Sequence, residues 1–333
     1  MTGWAAVGFD GYVDCLARVV RSAEEGTRTY FSTIPEFAQH IASMAGLSGD
    51  MEMEVIDRRY GGNAPLIAGA LCRLGMPVKL VGAIDDPIFD GMPPEVEPIP
   101  LAEPGNTIAL EFEDGKVMLA EIKNMSTLYA ARQKGTAQWR KGLNAFSGAR
   151  LQVLTNWSAM PEMALLWNDV FSAGPRPELT YLDLADPSKR SPQAIAALAD
   201  TIACCAPQPT ELGVNEKELK LVCRGLNLAD APLPQAAQAL SRRLSCAVVV
   251  HGIGYGLYAL DSQVQRKECP IVKKPALATG GGDHFSAAWC FARLQGDTAG
   301  QALDFANAAS GYFVTTGCSP SLAQVEAYRK QRL

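Results

Sequence analysis

Ala278-Thr279-Gly280-Gly281-Gly282-Asp283-His284-Phe285 is the stretch on which the reading of this chain turns. Three successive glycines run into residues 285–294, which place Phe285, Ala288, Trp289 and Ala292 on one helical face and stop at Gly296. Glycine lets consecutive backbone N–H groups turn toward one point, and a helix start adds positive potential there. Such a place suits an anionic phosphoryl group. Asp283 follows at once. As a plain first-turn acidic residue it would only complement the helix dipole. Beside an anion cradle, the same carboxylate can take the proton of a hydroxyl that attacks a phosphoryl group. An aspartate near its ordinary pKa of about 4 is ionised at neutral pH, so Asp283 is expected to be ready without tuning.

The chain around this stretch reads as a globular α/β protein. Its 333 residues are 48% apolar and 20% charged, enough for a large core and too mixed for disorder. No linker or low-complexity tract divides it, which predicts one domain over 1–333. The net charge of −5, with 30 scattered basic residues, argues against nucleic acid or an anionic membrane as the main partner. No targeting segment or membrane-spanning run is evident, so a cytoplasmic location is expected. Nine cysteines without a C-x-x-C pair read as small apolar residues, and three histidines, His40, His251 and His284, form no zinc motif.

Short apolar runs at 4–9, 78–82, 151–155, 179–184, 201–205 and 246–251 alternate with helical patterns, which predicts a mainly parallel sheet covered by helices. Residues 64–74 form one such helix, Ser191-Pro192 opens another, and a third lies near 35–45. One part breaks the rhythm. Residues 107–119 read as two strands around Asp114-Gly115, and 54–60 as another, so a small antiparallel lid is expected, with strands from 10–35, 52–62 and 98–124. The stretch 21–57 has no assigned role beyond this. After Gly82-Ala83-Ile84-Asp85-Asp86, the prolines 93, 94, 98 and 100 argue against a helix.

Three further segments bear on chemistry. In Gly213-Val214-Asn215-Glu216-Lys217-Glu218, Asn215 and Glu218 have capping-box spacing, or alternatively hold a hydrated Mg²⁺. Gly61-Gly62-Asn63 precedes a helix, and Asp10 and Asp14 follow the first strand, as ligand loops do at the carboxyl ends of parallel strands. No G-x-x-x-x-G-K-[ST] sequence is present, nor the motif set of protein kinases.

Taken in order, the acidic loop at 10–14, Gly61-Gly62-Asn63, Leu74-Gly75, Asn215-x-x-Glu218 and Thr279-Gly280-Gly281-Gly282-Asp283 resemble the ribokinase-like (PfkB) carbohydrate kinases over essentially the whole chain. Leu182-Asp183 with Asp186-Pro187 is similar to that family's strand-end aspartate segment. The resemblance implies a ribokinase-like α/β fold: a mainly parallel central sheet flanked by helices, with a small antiparallel β lid. It implies transfer of the γ-phosphoryl group of ATP to a hydroxymethyl group of a sugar, sugar acid or nucleoside. By it, the Gly280, Gly281 and Gly282 amides form the anion hole and Asp283 is the base. Asn215 and Glu218 organise Mg²⁺ through water. Thr279, His251, Gly252, Gly256, Asn307 and Gly317 belong to the nucleotide side. Asp10 or Asp14, with Gly61, Gly62, Asn63 and Asn156, holds the acceptor. Family members also pair through lid strands, which implies a homodimer. In many relatives an aspartate six residues before the base helps to hold a monovalent cation; Leu277 stands there, so potassium activation is not expected.

Two other readings stay open at this level. Gly252, Gly254 and Gly256 after a strand could be a dinucleotide fingerprint of an oxidoreductase, although their spacing is G-x-G-x-G. The chain could also keep the fold as a catalytically silent ligand-binding protein.

Overall fold

The computed structural model of the protein describes residues 3–24, 26–206, 209–277 and 279–331, with the side chains of Cys204 and Cys205 outside the description. In chain order the strands are β1 (Ala5–Phe9), β2 (Tyr12–Glu24), β3 (Thr27–Tyr30), β4 (Met53–Gly61), β5 (Val78–Ala83), β6 (Val96–Ala102), β7 (Gly105–Phe112), β8 (Gly115–Glu121), β9 (Leu151–Leu154), β10 (Leu179–Asp183), β11 (Thr210–Asn215), β12 (Ala247–Gly252), β13 (Tyr255–Leu260) and β14 (Gln263–Glu268). The helices are α1 (Ile34–Ser43), α2 (Asn63–Arg73), α3 (Thr127–Lys134), α4 (Ala137–Ser147), α5 (Met163–Ser172), α6 (Pro192–Cys205), α7 (Glu216–Gly225), α8 (Leu233–Leu244), α9 (Gly281–Leu294), α10 (Ala299–Thr316) and α11 (Leu322–Gln331).

A nine-stranded sheet in the order β14-β13-β12-β11-β10-β9-β1-β5-β6 forms the centre. Strands from β12 to β6 run parallel, and only the β12-β13-β14 end is antiparallel. Strands covered on both faces must be apolar on both, and β1 is buried at every residue. Along β12, Val248 and Val250 join a core with Trp157, Trp167 and Leu219, while Ala247 and Val249 join the opposite core with Ile67, Trp289 and Leu303. The period-two alternation of the strand thus feeds two helical layers, α3 to α8 on one face and α2, α9, α10 and α11 on the other. Truncating a fully buried side chain such as Trp289 costs about 3–5 kcal/mol.

The prolines after Asp86 do prevent a helix. Residues 87–91 make one 3₁₀ turn and then β6 carries Pro98 and Pro100 at the sheet edge, where a missing N–H is tolerated. The strand expected at 201–205 is a correction: those residues complete α6, which starts at the Ser191 N-cap and buries Ile195, Leu198, Ala199 and Ile202 at helical spacing. A short apolar run does not distinguish strand from helix, and the true strand, β11, begins later at Thr210.

A second sheet, in the order β3-β2-β7-β8 with β4 also on β2, stands beside the carboxyl ends of the main strands. Its pairs are antiparallel except β2 with β7, which runs parallel from Tyr12↔Gly105 to Ala17↔Leu110. The stretch 21–57 supplies this sheet with its own packing. Phe37 of α1 and Phe31 meet Ala17, Val19 and Leu110 in a separate small core.

Candidate active site

Parallel strands leave their carboxyl ends in one row, and the register lines up Gly8 with Leu154, Leu154 with Leu182, Asp183 with Gly213, and Asn215 with His251. The residues that follow these positions therefore converge. Asp10 is fully buried just past β1. Its carboxylate accepts from the Asn63 and Ala64 backbone N–H groups at 2.8 and 3.1 Å, from Thr155 Oγ1 at 2.5 Å and from Asn156 Nδ2 at 3.1 Å. These bonds fasten the start of α2 to the strand ends, where the helix has no acceptors of its own. Gly62 bends at φ +100° into this contact, and a Cβ there would lie 2.8 Å from Asp10 Oδ2. Asp14 stands further along β2, on the lid, beside Arg59 and Thr107. Burial pushes its carboxyl up, while Thr107 and Arg59 pull the other way. A Cβ on Gly61 would sit 2.1 Å from Asp14 Oδ2. Of the two aspartates, Asp10 has both oxygens engaged within the protein, and Asp14 is the one at the lid.

Gly280 starts α9 in a left-handed turn at φ +93°, so Gly281, Gly282 and Asp283 occupy the first turn, whose N–H groups have no intrahelical acceptor. Asp283 Oδ1 accepts from Asn63 Nδ2 at 2.8 Å, which joins the starts of α2 and α9 directly. Asp283 is only 8% exposed. Its carboxyl is pushed well above the usual range, first by burial and then by the charge of Asp183, with Asp10 and Glu218 adding to it; the Asn63 amide opposes. The expectation of an unperturbed aspartate is therefore corrected. Asp183 itself rises to about 6 by burial, and Glu218 to about 8 by burial and the field of Asp183.

Asn215 and Glu218 form the reciprocal capping box of α7. Asn215 Oδ1 accepts from the Glu218 N–H at 2.9 Å, and Glu218 Oε2 accepts from the Asn215 N–H at 2.9 Å. Asn215 Nδ2 donates to Glu218 Oε1 at 2.7 Å as well. The cap holds Glu218 where it feels the charge of Asp183 and where its own charge is felt by Asp283. Among the described residues no three His, Cys, Asp or Glu side chains stand close enough to hold a bare metal ion. Buried carboxylates that raise one another's pKa at longer range fit a hydrated divalent cation with a phosphate chain.

On the other side of Gly281 and Gly282 lies a cavity of about 380 Å³, lined also by Asn215, His251, Gly252, Ile253, Ile271, Val272, Phe285 and Ser310. Ile253 and Ile271 line it and are exposed, 84% and 61%, as apolar residues at its mouth. His251 is kept neutral by burial, with a pKa of about 4. Asn307 lines the cavity and donates from Nδ2 to the Lys267 carbonyl at 3.0 Å, anchoring α10 to β14. Thr279 stands in the turn before Gly280. Gly256 is packed between Phe285 and Leu303 behind the cavity wall, and Gly317 caps α10 at φ +73° near Leu277, so neither lines the cavity. A larger open groove of about 850 Å³ behind α2, between Arg73, Glu95 and Cys318, lies away from the strand ends and from Asp283. Volume alone does not select the site. Thr155, Ser310 and His284 were not singled out from sequence; only their hydrogen bonds to Asp10, Gly281 and Gly280 reveal them.

The dinucleotide reading fails on local geometry. Gly252, Ile253 and Gly254 turn into the antiparallel strand β13, whereas the fingerprint must open a helix.

Comparison with known proteins agrees with the fold. The prokaryotic ketohexokinase family matches residues 1–331. A ketohexokinase of Haloferax volcanii is 28% identical over 98% of this chain and 90% of its own length. A ribokinase from Thermotoga maritima superposes with a TM-score of 0.66 at 18% identity, covering 98% of this chain and 99% of that one. A putative ribokinase II from E. coli, in complex with ATP and Mg²⁺, superposes with a TM-score of 0.67 at 16% identity, over 99% and 100% of the two chains.

Proposed function

The chain belongs to the prokaryotic ketohexokinase family, a group of sugar kinases, and on that premise we propose that it transfers the γ-phosphoryl group of ATP to a primary hydroxyl of a ketohexose. The observation that carries the proposal is the position of Asp283. Its carboxylate is buried between Asn63, at the foot of the lid, and the Gly281-Gly282 edge of the cavity.

In this reading the cavity receives the nucleotide, its ring between Ile253 and Ile271 and its phosphates toward Gly281 and Gly282. The acceptor lies between Asp14, Asn63 and the lid. The hydroxyl proton passes to Asp283 as the acceptor oxygen bonds to the γ-phosphorus and the bond to the departing ADP oxygen breaks. The amides at the start of α9 face the charge that develops on the transferred group. Glu218 and Asn215 would hold Mg²⁺ through water, and the ion would supply neutralisation of phosphate charge. Asp283, raised by burial and by Asp183, would act as a base in its ionised form, which a cation held nearby would favour. Asp10, Thr155 and Asn156 position the start of α2.

Several companion statements belong to the same reading. The partners are ATP and a sugar, not nucleic acid or a membrane, in keeping with a net charge of −5. Among the described residues no helix is long and apolar enough to cross a membrane, which supports a cytoplasmic enzyme. Val55, Ile56, Met118 and Leu119 are exposed on the lid, which supports a homodimer through it. A silent ligand-binding protein is the second reading, and the acceptor assay separates the two. Purified protein with ATP and Mg²⁺ is offered ketohexoses, aldoses and nucleosides while ADP release and sugar phosphate are followed. Phosphorylation of a ketohexose well above the rest is the expected result; acceptor binding with no product across the panel contradicts the proposal.

A further inference from the structure

Three glycines in succession give the anion cradle the least intrinsic stiffness of any backbone, so its peptide planes must be held from outside. The structure shows what holds them. The Gly280 carbonyl sits 2.7 Å from His284 Nδ1, and it also accepts the helical N–H of His284 at 3.0 Å. A carbonyl carries no proton, so Nδ1 is the protonated ring nitrogen. In the neutral ring Nε2 then accepts, and Ser319 Oγ–H stands 2.6 Å away to donate to it. Phe313 lies flat on the imidazole, with centroids 3.7 Å apart and planes at 13°. Ring, tautomer and orientation are all fixed. Burial keeps the imidazole neutral, with a pKa of about 4. The next peptide is held likewise, since the Gly281 carbonyl accepts from Ser310 Oγ at 2.9 Å.

We propose that His284 is a positioning residue for phosphoryl transfer: by clamping the Gly280 carbonyl it aims the Gly281 N–H, on the opposite side of the same planar peptide, into the anion site. The peptide is rigid, with C=O and N–H antiparallel, so fixing one end fixes the other. Ser319 acts through His284 by holding the ring in the tautomer that donates. The inference rests on the reading of the cradle and Asp283 as the phosphoryl-transfer site.

The test compares His284→Ala, His284→Asn and Ser319→Ala in steady-state kinetics with ATP and the best acceptor, beside Asp283→Asn and the melting temperature of each variant. His284→Ala is expected to lower kcat by about 10- to 100-fold, somewhat less than outright loss of an oxyanion donor, with both KM values changed less than about threefold. Asparagine places an amide N–H near the position of Nδ1, so His284→Asn should recover most of the lost kcat whatever its melting temperature. Ser319→Ala should lower kcat by a few-fold through the tautomer. A residue that only fills space would lose stability without this kcat pattern. If Asp283→Asn abolishes turnover while His284→Ala keeps the wild-type kcat, the inference falls and the kinase reading stands. If Asp283→Asn keeps full turnover, the kinase reading falls with it. Should His284→Ala not fold, Ser319→Ala decides: a drop in kcat at unchanged KM supports the clamp, and an unchanged kcat overturns it.

Discussion

The two halves of the site are built on different principles. The side proposed for the nucleotide rests on strands β11 and β12 and on α9 and α10, with a core on each face of the sheet around the cavity. The side proposed for the acceptor rests on a lid whose core is small and whose Val55, Ile56, Met118 and Leu119 face solvent. A layer packed on both faces is held by many buried contacts, whereas a sheet with a small core has few of them. The difference predicts that substitutions on the lid side disturb the fold less than substitutions at the start of α9. The bond between Asn63 and Asp283 joins the start of α2, at the foot of the lid, to the start of α9.

Substitutions at the glycines on each side break the comparison most sharply. Gly61→Ala drives a methyl group into the Asp14 carboxylate, at 2.1 Å. It should raise the acceptor KM by about 10- to 100-fold, a loss of ~1.4–2.8 kcal/mol, and leave ATP affinity unchanged. Gly282→Ala places its Cβ 2.8 Å from His251 Cε1 and should do the reverse, weakening ATP by about tenfold with little effect on the acceptor KM. Calorimetric titration with each ligand alone reads the split, and equal losses on both sides would show that the halves are not independent.

Proton linkage gives the next effect. The folded-state pKa of Glu218, about 8, lies above its unfolded value near 4.5, and that of Asp183, about 6, above 3.8. Both groups bind protons more tightly in the folded chain, so their contribution to stability is complete below about pH 4 and is lost as pH rises through 6 and 8. The ligand-free protein should therefore lose melting temperature by a few degrees between pH 5 and 8.5, and Glu218→Gln should flatten the upper part of that fall. Addition of ATP and Mg²⁺ at pH 7 should release protons, visible as a buffer-dependent binding enthalpy. The smallest effect concerns Leu277, whose N–H reaches the Val314 carbonyl beside the end of α10. Replacing sodium by potassium should change kcat by less than about twofold, and a larger stimulation would reveal a cation site that does not need the missing aspartate.

Much of this was legible in the sequence because it is local. The glycine cradle and Asp283 are adjacent, and Asn215 and Glu218 form their cap within one turn. The prolines after Asp86 likewise mark the end of helix formation by themselves. What was not legible depends on strand order. Asp10 serves Asn63, Thr155 and Asn156 only because β1 lies between β5 and β9, and nothing near Asp10 announces those partners. The altered acidity of Asp283 likewise needs Asp183 and Glu218, brought near by separate strands. The misread run at 201–205 shows the remaining weakness: five mostly apolar residues fit either period until the helix start at Ser191 is followed through.

The central claim is that one buried carboxylate is the base where the two half-sites meet, and the Asp283→Asn variant tests it most directly. Held with ATP, Mg²⁺ and a ketohexose, this variant should bind both ligands with near wild-type affinity while the sugar phosphate forms about 10²–10⁴-fold more slowly. Formation of the product at the wild-type rate would contradict the account.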